Sequence, residues 1–151
     1  MSMEKMREPI EVLLVEDNLA DVRLAREAFQ NNQVSVRLNV VGDGVEAMAF
    51  LYRKGNYENA PRPDLILLDL NLPRKDGREV LEEVKGDGGL KRIPIVILTT
   101  STAEKDILRT YDSHANCFIT KPVDFDQFLT VVKTIENFWL NVVKLPKEGS
   151  G

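Results

Sequence analysis

Two hydrophobic periods alternate along this chain. Short apolar runs read as strands: "IEVLLVED" (β1, 10–17), "VSVRLNVV" (β2, 34–41), "DLILLD" (β3, 64–69), "IPIVILTT" (β4, 93–100) and "NCFITKP" (β5, 116–122, stopped by Pro122). After each comes a stretch with helical spacing: "NLADVRLAREAFQNN" (α1, 18–32), "GVEAMAFLYRKG" (α2, 44–55), "REVLEEVKG" (α3, 78–86), "TAEKDILRTYDS" (α4, 102–113) and "DFDQFLTVVKTIENFWLNVV" (α5, 124–143). Asn18 suits the N-cap of α1, and Gly55 and Gly86 suit the ends of α2 and α3. The segment "NYENAPRP" reads as a loop, its prolines stopping any helix.

Strict strand–helix alternation implies a parallel sheet covered on both faces. Right-handed crossovers then favour an α/β, doubly wound (βα)5 three-layer sandwich, flavodoxin-like, with parallel sheet order 2-1-3-4-5. The domain is expected to span 10–143, with an extension over 1–9 and a loose tail, "KLPKEGSG", over 144–151.

In such a sheet the carboxyl ends of the strands share one edge, where ligands bind. β1 ends in Glu16 and Asp17, β3 in Asp69, β4 in Thr99, and β5 in Lys121 and Pro122. β2 ends in "VVGDG" and is expected to lie off to one side. Singly these are ordinary features: an acidic cap, a Thr-Thr-Ser cap for α4, a Lys-Pro turn. Together they place three carboxylates, an ammonium and a hydroxyl at one edge. The carboxylates repel, and either shared protons with raised pKa values or a divalent cation relieves them. An all-oxygen set suits magnesium, calcium or manganese. A cation, a lysine and a hydroxyl around Asp69 make a receptor for a phosphoryl group.

Composition narrows the field. The chain has 151 residues, 43% hydrophobic and 29% charged, which suits one globular domain. A net charge of -4 and no basic stripe argue against nucleic acid. The lone Cys117 rules out an internal disulfide and reads as a buried small residue, and the single His114 removes multi-histidine metal sites. No apolar run approaches the roughly 20 residues of a membrane helix. The start, "MSMEKMREP", has no apolar segment of a secretory signal, so a cytoplasmic protein with no membrane partner is expected.

The combination "VEDN", "LLDLNLPRKDG", "ILTTS" and "ITKP" resembles the receiver domains of two-component response regulators from about Glu11 to Val143. The resemblance implies Asp69 as phosphoacceptor and Glu16 and Asp17 as the acidic pair that holds Mg2+, with Mn2+ or Ca2+ as substitutes. It implies that Asn71 gives a backbone carbonyl to the metal, and that Asp76 and Gly77 close the acceptor loop. Lys121 becomes the phosphate-binding lysine, Thr99 the switch hydroxyl and Phe118 the aromatic switch, and the Lys121–Pro122 bond is expected to be cis. Asn71 and Ser101 fall where side chains tune the lifetime of the acyl phosphate. The loop "NYENAPRP", "LTTS" and "IENFWL" with the later "LP" look more narrowly like stand-alone regulators of phytochrome-type histidine kinases.

Function expected from the resemblance is phosphoryl acceptance from a sensor histidine kinase, signalled by a change in the α4-β5-α5 face. The protein would be no enzyme beyond its own phosphorylation and slow autodephosphorylation. A phosphoryl carrier or phosphate sink without its own output is the alternative. An aspartyl-nucleophile phosphatase of the haloacid dehalogenase class would need a general acid where Asn71 stands. A dinucleotide binder would want a glycine-rich fingerprint that is absent. On α5 the residues Phe125, Phe128, Leu129, Val132, Ile135 and Trp139 form a core stripe. Val131, Phe138 and Val142 widen it, and that surplus predicts a homodimer through the α4-β5-α5 face.

Overall fold

A strand that is apolar at every position has to bury both its faces. In the computed structural model every residue of β3 (Leu65–Asp69) and β4 (Ile95–Thr99) is buried. The structure describes residues 9–30, 35–72, 74–99, 117–121 and 124–138. The other elements are β1 (Ile10–Val15), α1 (Leu19–Gln30), β2 (Val36–Val41), α2 (Gly44–Tyr52), α3 (Gly77–Gly86), β5 (Cys117–Thr120) and α5 (Phe125–Phe138). The predicted α4, Ser101, His114, Pro122, Trp139, Val142, the first eight residues and the tail lie outside the described residues, as do the side chains of Phe118, Ile135 and Phe138.

The strands form one parallel sheet in the order β2-β1-β3-β4-β5, as expected from the alternation. Successive side chains on a strand point to opposite faces. Val12, Leu14, Leu65, Leu67, Val96, Leu98 and Ile119 therefore pack with α1 and α5 in one core, through Val22, Ala25, Phe29, Phe128 and Val132. Leu13, Val15, Ile66, Leu68, Ile95 and Ile97 pack with α2 and α3 in the other, through Ala47, Met48, Val80, Leu81 and Val84. The result is three layers.

The helices begin where side chains can satisfy their free N–H groups. Asn18 Oδ1 accepts from Ala20 and Asp21, as its position predicts. Asp43 accepts from Glu46, and Asp76 from Arg78. Asp124 and Gln127 form a reciprocal box at the start of α5. The expected end of α2 at Gly55 needs correction. The helix stops at Tyr52, and Arg53 takes the left-handed cap with φ 57°. Its N–H donates to Phe50 O, and the Lys54 N–H to Ala49 O, the paired bonds of a Schellman motif. Gly55, at φ 60°, instead opens a 3-10 turn, Gly55–Tyr57, where a plain loop was expected. At the end of α3 the helix does finish at Gly86, but an extended Asp87 follows, whose carboxylate accepts from Gly89 and Leu90.

Val131 is also corrected. It was expected on a surplus face of α5, but it is 7% exposed and belongs to the core with Phe128 and Val132. α5 packs on α1 as well as on the sheet, so it needs a wider apolar arc than a helix resting on a sheet alone.

β2 lies at the edge of the sheet, off to one side as expected, but the helix that follows it turns back toward the loop after β3. A Cβ on Gly44 would lie 2.1 Å from the Lys75 carbonyl oxygen and 2.8 Å from its carbon, so the start of α2 sits against the loop that follows β3. The contact is with the Lys75 backbone and its Cβ, the root of that side chain, so no flexible side-chain end can swing away. Gly44→Ala is expected to lower stability by about 1–3 kcal/mol in urea unfolding, a typical overpacking cost. An unchanged midpoint would show that the loop can retreat at no cost.

Candidate functional site

Sheet register brings the predicted residues together. Val15 pairs with Leu68, which sets Glu16 beside Asp69 at the ends of adjacent strands. Leu70 N–H donates to Leu98 O, and Lys121 N–H to Thr99 O, so the ladder runs on past Asp69 and carries Lys121 to the same edge. Strand parity then sorts the side chains. Glu16 is in step with Val12 and Leu14, Asp69 with Leu65 and Leu67, and Lys121 with Ile119, all in the core under α1 and α5. Thr99 is in step with Ile95 and Ile97 of the other core, and it is buried.

Glu16 and Asp69 are 2% and 1% exposed. Lys121 Nζ donates to Glu16 Oε2 at 3.0 Å and Oε1 at 3.2 Å, and to Asp69 Oδ2 at 3.1 Å. It also lies 3.1 Å from Asp21 Oδ2, a carboxylate that the sequence reading missed. A signal for it exists: Asp21 stands one turn before the buried Ala25 on α1, an acidic residue in line with an apolar stripe. Asp69 Oδ1 accepts the Asn71 N–H at 2.9 Å, and Glu16 Oε1 the Asn18 N–H at 3.0 Å.

Burial pushes the Glu16 carboxyl up, to about 7, against the opposing pull of the Asn18 N–H and the Lys121 ammonium; the charge on Asp69 adds to the rise. Burial also works to lower the Lys121 pKa. Its hydrogen bonds to Glu16 and Asp69 outweigh that, so the ammonium is held above its ordinary value and stays charged.

The loop after β3 is fixed from several sides. Gly77 N–H donates to Leu70 O, and a Cβ on Gly77 would lie 2.3 Å from Asp69 O, so only glycine admits this close return. Arg74 adopts φ 63° and its guanidinium reaches Asp43 Oδ2 at 3.2 Å. Pro73 lies outside the described residues.

Among the described residues, Glu16, Asp17 and Asp69 each offer a carboxylate oxygen within 4.8 Å of the others, with Asp17 exposed and the other two buried. Oxygen donors alone, at this spacing and with an open side at Asp17, fit a hard divalent cation. No described helix is long and apolar enough to cross a membrane.

A buried carboxylate, an ammonium and an acidic pair thus meet at the carboxyl edge of this sheet. The chain belongs to the response regulator receiver domain family, whose model matches residues 12–133. It is 51% identical to the response regulator Rcp1 of Synechocystis sp. (strain ATCC 27184 / PCC 6803 / Kazusa) over 91% of this chain and 94% of that one. It is similar to the crystal structure of the phosphorylated cyanobacterial phytochrome response regulator RcpA, at 56% identity and a TM-score of 0.76, over 89% of this chain and 96% of the other. The Mn(2+)-bound form of Rcp1 is equally similar in fold, with a TM-score of 0.76 at 51% identity, over 89% and 96% of the two chains.

The Glu16 carboxyl sets a pH dependence. Between 4.5, its ordinary value, and about 7 the folded protein holds a proton that the unfolded chain has released. Stability from this group is therefore fully present below 4.5 and is lost as pH rises through about 7. In the metal-free protein the thermal midpoint should fall across that window, and Glu16→Gln should lack that part of the fall. Added Mg2+ must displace the same proton, so its affinity should rise through the window and level off above about 7. Equal midpoint slopes in the two proteins would contradict the assignment.

Proposed function

We propose that Asp69 accepts a phosphoryl group from the phosphohistidine of a sensor histidine kinase. The observation that carries this reading is the meeting of Asp69, Lys121, Glu16 and Asp17 at one sheet edge. An Asp69 carboxylate oxygen attacks phosphorus in line. The O–P bond forms, the P–N bond to the histidine breaks, and its electron pair goes to the imidazole nitrogen. Lys121 presents a permanent positive charge where the transferred oxygens arrive. Glu16, Asp17 and Asp69, with the Asn71 backbone carbonyl, are the residues that would hold Mg2+, with Mn2+ or Ca2+ as substitutes. When bound, the cation supplies positive charge to the transferred oxygens. The Mn(2+)-bound relative and the all-carboxylate donor set support this choice.

The Thr99 hydroxyl then turns toward the new dianion, and Phe118 moves into the space released. That reshapes the α4-β5-α5 face as a population shift between states that pre-exist. The domain, 10–143, works in the cytoplasm as a switch, and its catalysis is limited to its own phosphorylation and slow autodephosphorylation. Similarity to the cyanobacterial phytochrome response regulator RcpA and the bacteriophytochrome response regulator AtBRR supports a phytochrome-type kinase as the donor. Acetyl phosphate with Mg2+ should label the wild type and leave Asp69→Asn unlabelled on a phosphate-affinity gel. Equal labelling of both would sink the reading.

A second copy of the chain is the partner we propose for the α4-β5-α5 face, supported by the apolar Phe138 and Val142 in its sequence. Val131 has no part in it. Light scattering with beryllofluoride and Mg2+ should give a dimer for the wild type and a monomer for Phe138→Asp; monomers in both would remove the dimer.

A further inference from the structure

Lys121 touches more carboxylates than the proposed transfer uses. Its Nζ lies within 3.1 Å of Glu16, Asp69 and Asp21. Glu16 and Asp69 also belong to the group that fits a divalent cation, and Asp21 does not. An ammonium and a dication that share two buried carboxylates repel each other. A cation bound at Glu16 and Asp69 therefore weakens the hold of both on Lys121. Asp21 is the carboxylate partner of Nζ, among the described residues, that the ammonium keeps whole.

Asp21 is well placed for this. Its side chain is 13% exposed, and that of Lys121 is 12% exposed. It sits in the first turn of α1, whose start is tied by the Asn18 cap and whose body is packed into the core by Val22, Ala25 and Phe29. α1 covers the face to which strand parity sends Glu16, Asp69 and Lys121. Neither the N-cap nor the core packing of α1 requires an acid at this position.

We infer that Asp21 is a positioning residue for Lys121. It holds the ammonium to the α1 side while the cation takes Glu16, so that Lys121 stays within reach of the phosphoryl oxygens on Asp69 and does not compete for the metal carboxylates. The inference rests on the phosphoacceptor reading of Asp69. Without Asp21 the ammonium falls back on Glu16 and Asp69, and the cation has to displace it.

The test is a double-mutant cycle on the full chain, read by calorimetric titration with Mg2+. Asp21→Asn should weaken Mg2+ binding about threefold or more, the scale of coupling between groups in contact. In a Lys121→Met background the same substitution should change it by less than about twofold. The rate of labelling by acetyl phosphate at saturating Mg2+ should follow the same pattern, falling with Asp21→Asn only where Lys121 is present. Circular dichroism checks folding, and Asp21→Ser repeats the cycle if Asp21→Asn is unfolded. An equal loss of Mg2+ affinity in both backgrounds would make Asp21 a mere part of the negative field, and no loss beside Lys121 would make it idle; either overturns the inference. A wild type that binds Mg2+ but is never labelled would instead overturn the phosphoacceptor reading.

Discussion

Buried carboxylates at the ends of adjacent strands cannot both stay charged side by side unless positive charge is brought to them. Here Glu16 and Asp69 end β1 and β3 in contact with one ammonium, that of Lys121, delivered from the end of β5. The strands are far apart in sequence, so this contact forms only when the sheet is complete to its last strand. Closing the sheet and assembling the site are thus one event. The repulsion that makes the edge awkward for folding is also what favours a cation there. Glu16 shows the tension directly, since its burial and the charge on Asp69 push its carboxyl toward neutrality while Lys121 and the Asn18 N–H pull the other way.

The acceptor loop carries that edge outward. Asp69 is fixed by the Asn71 N–H and by the return of Gly77 against its own carbonyl, and the next residues rest on the start of α2 through Gly44, Asp43 and Arg74. The N-termini of α2 and α3, capped by Asp43 and Asp76, thus border the same loop. On the opposite core, α1 contributes Asp21 and α5 packs against both α1 and the sheet. The site is held from three layers, which fixes its charged groups relative to one another.

Much of this was legible in the sequence. Apolar runs and helical spacing set five strands in parallel order, and strand ends named Glu16, Asp17, Asp69, Thr99 and Lys121, because a hydrophobic period is a local property and a strand end is visible where the period stops. Helix starts were readable for the same reason, since a cap such as Asn18 acts within three residues of itself.

What the sequence could not decide were contacts between elements whose faces are set by packing. Arg53, not Gly55, caps α2, because paired backbone hydrogen bonds outweigh the modest strain of a left-handed arginine. Val131 is core and not surface, because α1 lies beside α5 and asks for a wider apolar arc. Asp21 enters the site, and Gly44 meets the acceptor loop, because α1 and the turn after β2 approach strand ends that lie far from them in the chain. The sequence by itself determined which residues could carry charge to one edge. Only the tertiary structure decided which of those charges share the Lys121 ammonium, because Coulomb energy depends on distances that no local pattern encodes.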